Sequence, residues 1–321
     1  MEYSYCGKSG LQLSKISLGL WHNFGFVDDY SMARDMILKA FEEGITHIDI
    51  ANNYGPPAGS AETNFGKILK ENLLSHRDEM IISSKAGYFM WKGPYGDGGS
   101  RKYLMSSIDQ SLKRTGLEYF DIFYSHRYDP NTPIEETMQT LVDIVRQGKA
   151  LYVGLSNYPG PQTRIAMNYL KERDVPCLIY QGKYSLFNRL PEEEILDITD
   201  EYGSGFIAYS PLAQGVLTDK YLNGIPEYSR AANPTGFLRK EQVTDDLVEK
   251  VVKLNKIASR RGQTMAEMAL AWALRDNRVT SLIVGSRNLD QLLDNIKALN
   301  NLEFSKEELL EIDTILDGAV L

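Results

Sequence analysis

Cysteine is scarce in this 321-residue chain. Only Cys6 and Cys177 are present, too few for the disulfide framework of a small secreted domain, and both read as thiols in a reducing cytoplasm. Long apolar runs are missing as well. No stretch reaches the roughly 18 residues that a spanning helix needs, so no membrane insertion is expected. The opening residues Met1, Glu2, Tyr3 and Ser4 carry none of the basic and apolar regions of a signal peptide. Positive charge is in deficit: 35 Lys and Arg stand against 43 Asp and Glu, a net charge of -8, with a pI of about 5.2. Nucleic acid and anionic membrane surfaces would on average be repelled, which favours a small-molecule or protein partner. No Gly-x-Gly-x-x-Gly fingerprint appears, which argues against a Rossmann domain, and there is no repeat of solenoid period or low-complexity segment.

What is present is alternation. Residues Tyr3 to Ser14 alternate polar and apolar around Gly7 and Gly10, the pattern of a short β-hairpin that would cover the floor of a barrel. From Ile16 onward, strand-sized apolar runs alternate with segments of helical period, which predicts parallel strands joined by crossover helices. Eight such units are counted, with strands at Ile16 to Leu20, Thr46 to Ile50, Met80 to Ser84, Phe120 to Tyr124, Leu151 to Leu155, Cys177 to Tyr180, Gly205 to Tyr209 and Ser281 to Val284. The fold expected is α/β, a single (β/α)8 TIM barrel spanning 1–321, with an N-terminal hairpin and long active-site loops. Thr132-Pro133 and Leu190-Pro191, each followed by acids, read as helix starts. The Glu192 to Glu194 run needs no functional explanation. Two stretches, Ala86 to Lys102 and Pro211 to Gly236, are too long for minimal connections and follow strand ends, where barrel enzymes build their sites. The tail after Asn300 should pack outside.

Asp49, Tyr54, Lys85 and His126 stand at or just after the ends of strands two, three and four, so adjacent strands would bring them to one face. Each alone has an ordinary reading as a cap, a turn aromatic, a surface lysine or a structural histidine. Together they have a chemical logic. A phenol is a poor acid near neutrality, but a neighbouring ammonium lowers its pKa. Lys85 can supply that charge, Asp49 can keep Lys85 charged and directed, and His126 can orient a carbonyl. No residue is assigned to a metal.

The stretch Gly44 to Gly55, with Glu62 beyond it, resembles the first signature of the aldo-keto reductase family. Ile82 to Lys85, Asp121 to His126 and Gly148 to Asn157 resemble its later segments in order, across essentially the whole chain. The resemblance implies reduction of an aldehyde or ketone by NADPH, with Tyr54, Lys85, Asp49 and His126 as the catalytic four. It also implies that Ser156 and Asn157, with Gln181, hold the nicotinamide carboxamide, that Tyr209 lies on the nicotinamide face, and that Trp21 borders the cofactor. The loop through Ser210, Pro211, Leu212, Gln214, Gly215 and Lys220 would wrap the pyrophosphate. Arg230 with Gly285, Ser286, Arg287, Gln291, Asp294 and Asn295 would form the adenosine end, where cations suit a 2′-phosphate and so NADPH over NADH. Gln181-Gly182-Lys183-Tyr184 departs from the family, which generally has a small or proline residue where Gly182 stands.

Trp21, Tyr88, Trp91, Arg127 and Tyr128 are candidates for the substrate pocket, and Lys92, Arg101 or Arg127 could meet a phosphate. Resemblance in the loops points to a small aldehyde, phosphorylated or not, with L-glyceraldehyde 3-phosphate and methylglyoxal as examples. A homo-oligomer, tetramer or octamer, is implied in the same way. Two other classes compete: a cofactor-loaded regulatory subunit of a channel-like partner with slow turnover, and a Schiff-base aldolase using Lys85.

Overall fold

The computed structural model describes residues 1–222, 224–226, 230–232 and 238–316. Eight parallel strands close into a barrel. In chain order they are β3 (Ile16–Gly19), β4 (His47–Asp49), β5 (Ile81–Ala86), β6 (Phe120–Ser125), β7 (Ala150–Ser156), β8 (Cys177–Lys183), β9 (Gly205–Tyr209) and β10 (Val279–Val284), with β10 beside β3 to seal the ring. All eight expected strands are present, their ends shifted by at most three residues. Helices cover the outside, so the strands are buried on both faces and read as short apolar runs.

The hairpin is formed by β1 (Tyr3–Tyr5) and β2 (Gln12–Ser14) in antiparallel register. Cys6 and Leu13 pack beneath the barrel with Ile122, Tyr124, Leu178 and Ile207, which makes the hairpin its floor. The larger apolar cluster lies between strands and helices. Inside the barrel, Gly154 is required by close approach: a Cβ there would stand 2.4 Å from the Tyr124 ring.

The helices are α1 (Tyr30–Glu42), α2 (Ser60–Ile68), α3 (Arg101–Thr115), α4 (Ile134–Arg146), α5 (Gly160–Lys171), α6 (Ile195–Tyr202), α7 (Asp245–Arg260), α8 (Met265–Ala273), α9 (Leu289–Lys297) and α10 (Lys306–Leu316). Side-chain caps start several of them: Asp29 for α1, Ser100 for α3, Thr264 with Glu267 in a reciprocal box for α8, and Asn288 for α9. Each such cap contributes about 1 kcal/mol. The tail packs outside, as α10 against α7.

Two expected helix starts differ. Thr132 does not cap α4, because its hydroxyl donates to Asp129 at 2.7 Å and Pro133 itself stands at the cap position. Leu190-Pro191 opens only a short 3₁₀ turn, and α6 begins at Ile195. Glu192 instead holds Arg189 and Arg275, each at 2.7 Å. Asp129 and Arg189, each three residues from its partner, and Arg275 far along the chain hold these side chains.

Candidate active site

Strand alternation puts residues two apart on the same face. On β4 that turns His47 and Asp49 into the barrel, on β5 Ser83 and Lys85, and just past β6 His126. The register sets Asp49 opposite Ser83 and Lys85 opposite Tyr124. Lys85 is fully buried, and its Nζ donates to Asp49 Oδ2 at 2.6 Å and to the Ile50 carbonyl at 2.7 Å. The ammonium lies 4.9 Å from the centre of the Tyr54 ring. His126 stands edge-on to Tyr54 at 6.0 Å and to Tyr88 at 4.7 Å. The structure therefore brings Asp49, Tyr54, Lys85 and His126 together at the C-terminal mouth of the barrel, where (β/α)8 enzymes carry their chemistry.

The electrostatics correct one expectation. Lys85 was expected to lower the Tyr54 pKa, but the Tyr54 phenol is held well above its ordinary range, first by burial and then by the negative charge of Asp49. Burial and that carboxylate outweigh the ammonium while the phenol keeps its proton. Tyr54 is thus a neutral phenol with its proton in place. Burial pulls the Lys85 pKa down, and Asp49, helped by Glu62, opposes it. His126 is driven well below the usual imidazole value by burial, then by Lys85 and Arg127, so its ring is neutral. Its buried Nδ1 has no hydrogen-bond partner among the described residues. An orphaned acceptor is tolerated better than an orphaned N–H, which assigns the proton to Nε2.

The candidate cofactor residues form a second connected group. Ser156 pairs in register with Gln181. Asn157 donates to Ser156 Oγ at 3.0 Å and to the His126 carbonyl at 3.1 Å, and receives the Tyr209 hydroxyl at 2.9 Å. Gln181 donates to Asp49 Oδ1 at 3.0 Å, tying this group to the Asp49–Lys85 pair. Left-handed backbone gathers here: Asn157, Ser210, Ala213, Gln214 and Gly215 all have positive φ. Such strain at non-glycine positions concentrates at functional sites, and successive turned N–H groups make anion-binding concavities.

Beyond β10, Asn295 donates to the buried Ser286 Oγ at 3.3 Å, and Gln291 accepts from the Arg287 amide at 3.0 Å. Asp294 is engaged with Lys297 at 2.7 Å. Asn23 donates to the Ser286 carbonyl at 3.2 Å, linking this end to the loop after β3. A Cβ at Gly215 or Gly285 would meet only open space. The left-handed loop, this room and the Tyr209 ring fit a dinucleotide. Pro211 is buried, while Leu212 and Lys220 are partly buried in the same loop. The Arg230 side chain lies outside the described residues, as do Asn223, Tyr228 and Ser229.

The pocket candidates divide. The Trp21 ring lies 6.3 Å from Tyr54, and Tyr88 touches His126. Arg127 lies over Tyr88, donates to the Gly87 carbonyl at 2.7 Å and pairs with Asp97 at 2.8 Å. Trp91 packs on Tyr103 at 5.2 Å, and the Tyr103 hydroxyl donates to the Tyr88 carbonyl, so this pair braces the loop. Tyr128 faces a surface groove with Ile134 and Ile165. Arg101 sits on α3 and is ion-paired with Asp143 of α4. Lys92 is exposed. At the departure after Gln181, Lys183 pairs in register with Tyr209, and burial lowers its pKa.

Sequence reasoning passed over His47 and Ser83. The signal was present, since each lies two residues before a marked one on the same strand. Among the described residues no three or more His, Cys, Asp or Glu gather to hold a metal, and no helix is long and apolar enough to cross a membrane.

A barrel with this buried lysine–aspartate pair beneath a tyrosine agrees with the comparison to known families: residues 15–317 match the aldo/keto reductase family. The chain belongs to that family of oxidoreductases, which generally uses NAD(P)H. Similar proteins include the L-glyceraldehyde 3-phosphate reductases of Escherichia coli O157:H7, 55% identical, and of Escherichia coli strain K12, 54% identical. Each alignment covers 99% of this chain and 93% of the relative.

Proposed function

We propose that the chain reduces a small aldehyde to its alcohol with NADPH, with L-glyceraldehyde 3-phosphate as first candidate and methylglyoxal as second. The observation that carries this is the buried Lys85–Asp49 pair at 2.6 Å under a neutral Tyr54. The bound dinucleotide would supply the hydride. Tyr54 gives its phenolic proton to the carbonyl oxygen, and His126 Nε2–H hydrogen-bonds the same oxygen. As the proton leaves, Lys85 stabilises the phenolate, while Asp49 keeps Lys85 charged and pointed.

Ser156, Asn157 and Gln181 would hold the carboxamide, Tyr209 the ring face, and Ser210 to Gly215 with Lys220 the pyrophosphate. Trp21 would border the cofactor and the pocket. Gly285 to Arg287, with Gln291, Asp294, Asn295 and Arg230, would form the adenosine end. The guanidinium of Arg287 there favours a 2′-phosphate. Arg127 is the cation placed to meet a substrate phosphate, by leaving Asp97. A Schiff base at Lys85 is disfavoured, because Nζ is spent as a donor to Asp49 and Ile50. The relatives' names also favour an enzyme over a channel-regulating subunit. A cytoplasmic location and a tetrameric or octameric assembly belong to the same proposal, and light scattering of the purified protein tests the assembly.

The functional test follows NADPH and NADH absorbance across aldehydes that include L-glyceraldehyde 3-phosphate and methylglyoxal. The proposal expects turnover with NADPH and higher kcat/KM for the phosphorylated aldehyde. Absence of turnover across the panel would overturn it.

A further inference from the structure

His47 is fully buried inside the barrel, and both of its ring nitrogens are engaged. Nε2 lies 3.0 Å from Ser83 Oγ, and Ser83 Oγ donates to Asp49 Oδ1 at 2.9 Å. In the other direction Nδ1 lies 2.9 Å from Ser17 Oγ, Ser17 Oγ lies 2.7 Å from Ser281 Oγ, and Ser281 donates to the Ser14 carbonyl at 2.7 Å. One chain of five contacts therefore runs from the floor hairpin to the Asp49–Lys85 pair.

Both ends of that chain only accept: a carbonyl at the floor, a carboxylate at the site. Each hydroxyl between them has one proton to give. Filling all five contacts would need protons on both nitrogens of His47, and a neutral ring leaves one contact empty. Burial, reinforced by Lys85 and opposed by Asp49, brings the ring to a pKa of about 4, so the ring is neutral near pH 7. The proton belongs on Nε2. Asp49 polarises the Ser83 hydroxyl into a stronger acceptor, and a hydrogen bond running on to a carboxylate is worth more than a neutral one. The missing proton is then borne at the floor, among Ser17, Ser281 and the Ser14 carbonyl.

We propose that His47 is a positioning residue for the reduction: acting through Ser83, it fixes Asp49 and with it the charge and direction of Lys85. This rests on the roles proposed above for Tyr54, Lys85 and Asp49. The charged groups acting on His47 are Asp49 and Lys85. Lys85 in turn lies among Asp49, Glu62, Tyr54, Tyr124 and His126. Asp49 is the main influence holding the Lys85 pKa up against burial. Loosening Asp49 therefore lowers the pH at which Lys85 loses its proton, and the alkaline limb of kcat moves down with it.

The test uses the full chain with NADPH and two aldehydes, methylglyoxal and L-glyceraldehyde 3-phosphate. His47→Leu and Ser83→Ala should each lower kcat about tenfold, the worth of one hydrogen bond to a charged group. KM for aldehyde and the NADPH dissociation constant, read by fluorescence, should stay within about twofold, and the alkaline limb should fall by at least about half a pH unit. His47→Gln, which keeps a donor toward Ser83, should recover most of the loss. The double variant His47→Leu/Ser83→Ala should be no worse than either single one, because both break one chain. Losses that multiply, or folded variants with unchanged kcat and limb, would overturn the inference. Should His47→Leu fail to fold, Ser83→Ala and His47→Gln still decide it: Ser83→Ala with unchanged kcat and limb overturns it. Tyr54→Phe is run alongside. Activity surviving that substitution refutes the underlying reading, whereas loss there with unchanged Ser83→Ala refutes the positioning role alone.

Discussion

The strand-end cluster over β4 to β6 and the loop that follows β9 share one mouth, yet they are built in opposite ways. In the cluster the carboxylate is locked: Asp49 takes hydrogen bonds from Lys85, Ser83 and Gln181, and the strands beneath are buried on both faces. The loop from Ser210 to Tyr221 has only short 3₁₀ turns and left-handed backbone. Reacting groups need fixed geometry, which strand ends provide, while a long ligand needs a surface that can wrap it. Damage to the cluster should therefore cost both activity and stability, and damage to the cofactor side should change binding alone.

The largest effect follows from breaking the buried pair. Lys85→Met leaves Asp49 charged and without its counter-ion, and should destabilise the fold by about 3–5 kcal/mol while abolishing turnover. Urea denaturation with parallel kinetics measures both, and a variant of native stability would place the cluster with the loop.

The next concerns pH. The folded pKa of His47, about 4, lies below the unfolded imidazole value of about 6.5. The unfolded chain therefore binds more protons between those two values, and stability rises with pH across that window. This contribution is fully present above about 6.5 and is lost as pH falls toward 4, of order 3 kcal/mol in all. His47→Gln should remove that share of the slope, leaving the share due to His126. Denaturation curves at pH 7 and pH 5 for both proteins compare the slopes, and equal slopes would contradict a buried neutral ring.

The smallest lies on the cofactor side. Arg287→Ala should raise KM for NADPH about tenfold, the worth of one charge-assisted contact, with kcat, melting temperature and KM for NADH little changed. A loss of kcat instead would mean that the two regions are not separable in this way.

The sequence made the strand-end region legible because period-two alternation is local. Eight strands and the inward residues Asp49 and Lys85 follow from it, with His126 and Tyr54 just beyond. His47 and Ser83 obey the same rule, but a lone histidine in an apolar strand looks like ordinary core until its partners on β3, β5 and β10 are known. The misjudged features share a cause. Thr132 is held by Asp129, and Glu192 by Arg189 and Arg275, side-chain contacts that a helix-start pattern does not announce. The acidity of Tyr54 was misjudged because the charge of Lys85 was considered without the burial and the carboxylate that outweigh it. The loop proposed to hold the cofactor is assigned only by resemblance, since backbone turned by Ser210, Ala213 and Gln214 has no hydrophobic period to betray it.

The central claim is that Tyr54 gives the proton, and single-turnover mixing of aldehyde with the NADPH-loaded protein tests it most directly. Tyr54→Phe keeps the ring and its packing. The account predicts unchanged NADPH binding with loss of NADPH oxidation by a factor of about 10²–10⁴, the range for a positioned general acid. Oxidation within a few-fold of the unsubstituted protein would contradict it.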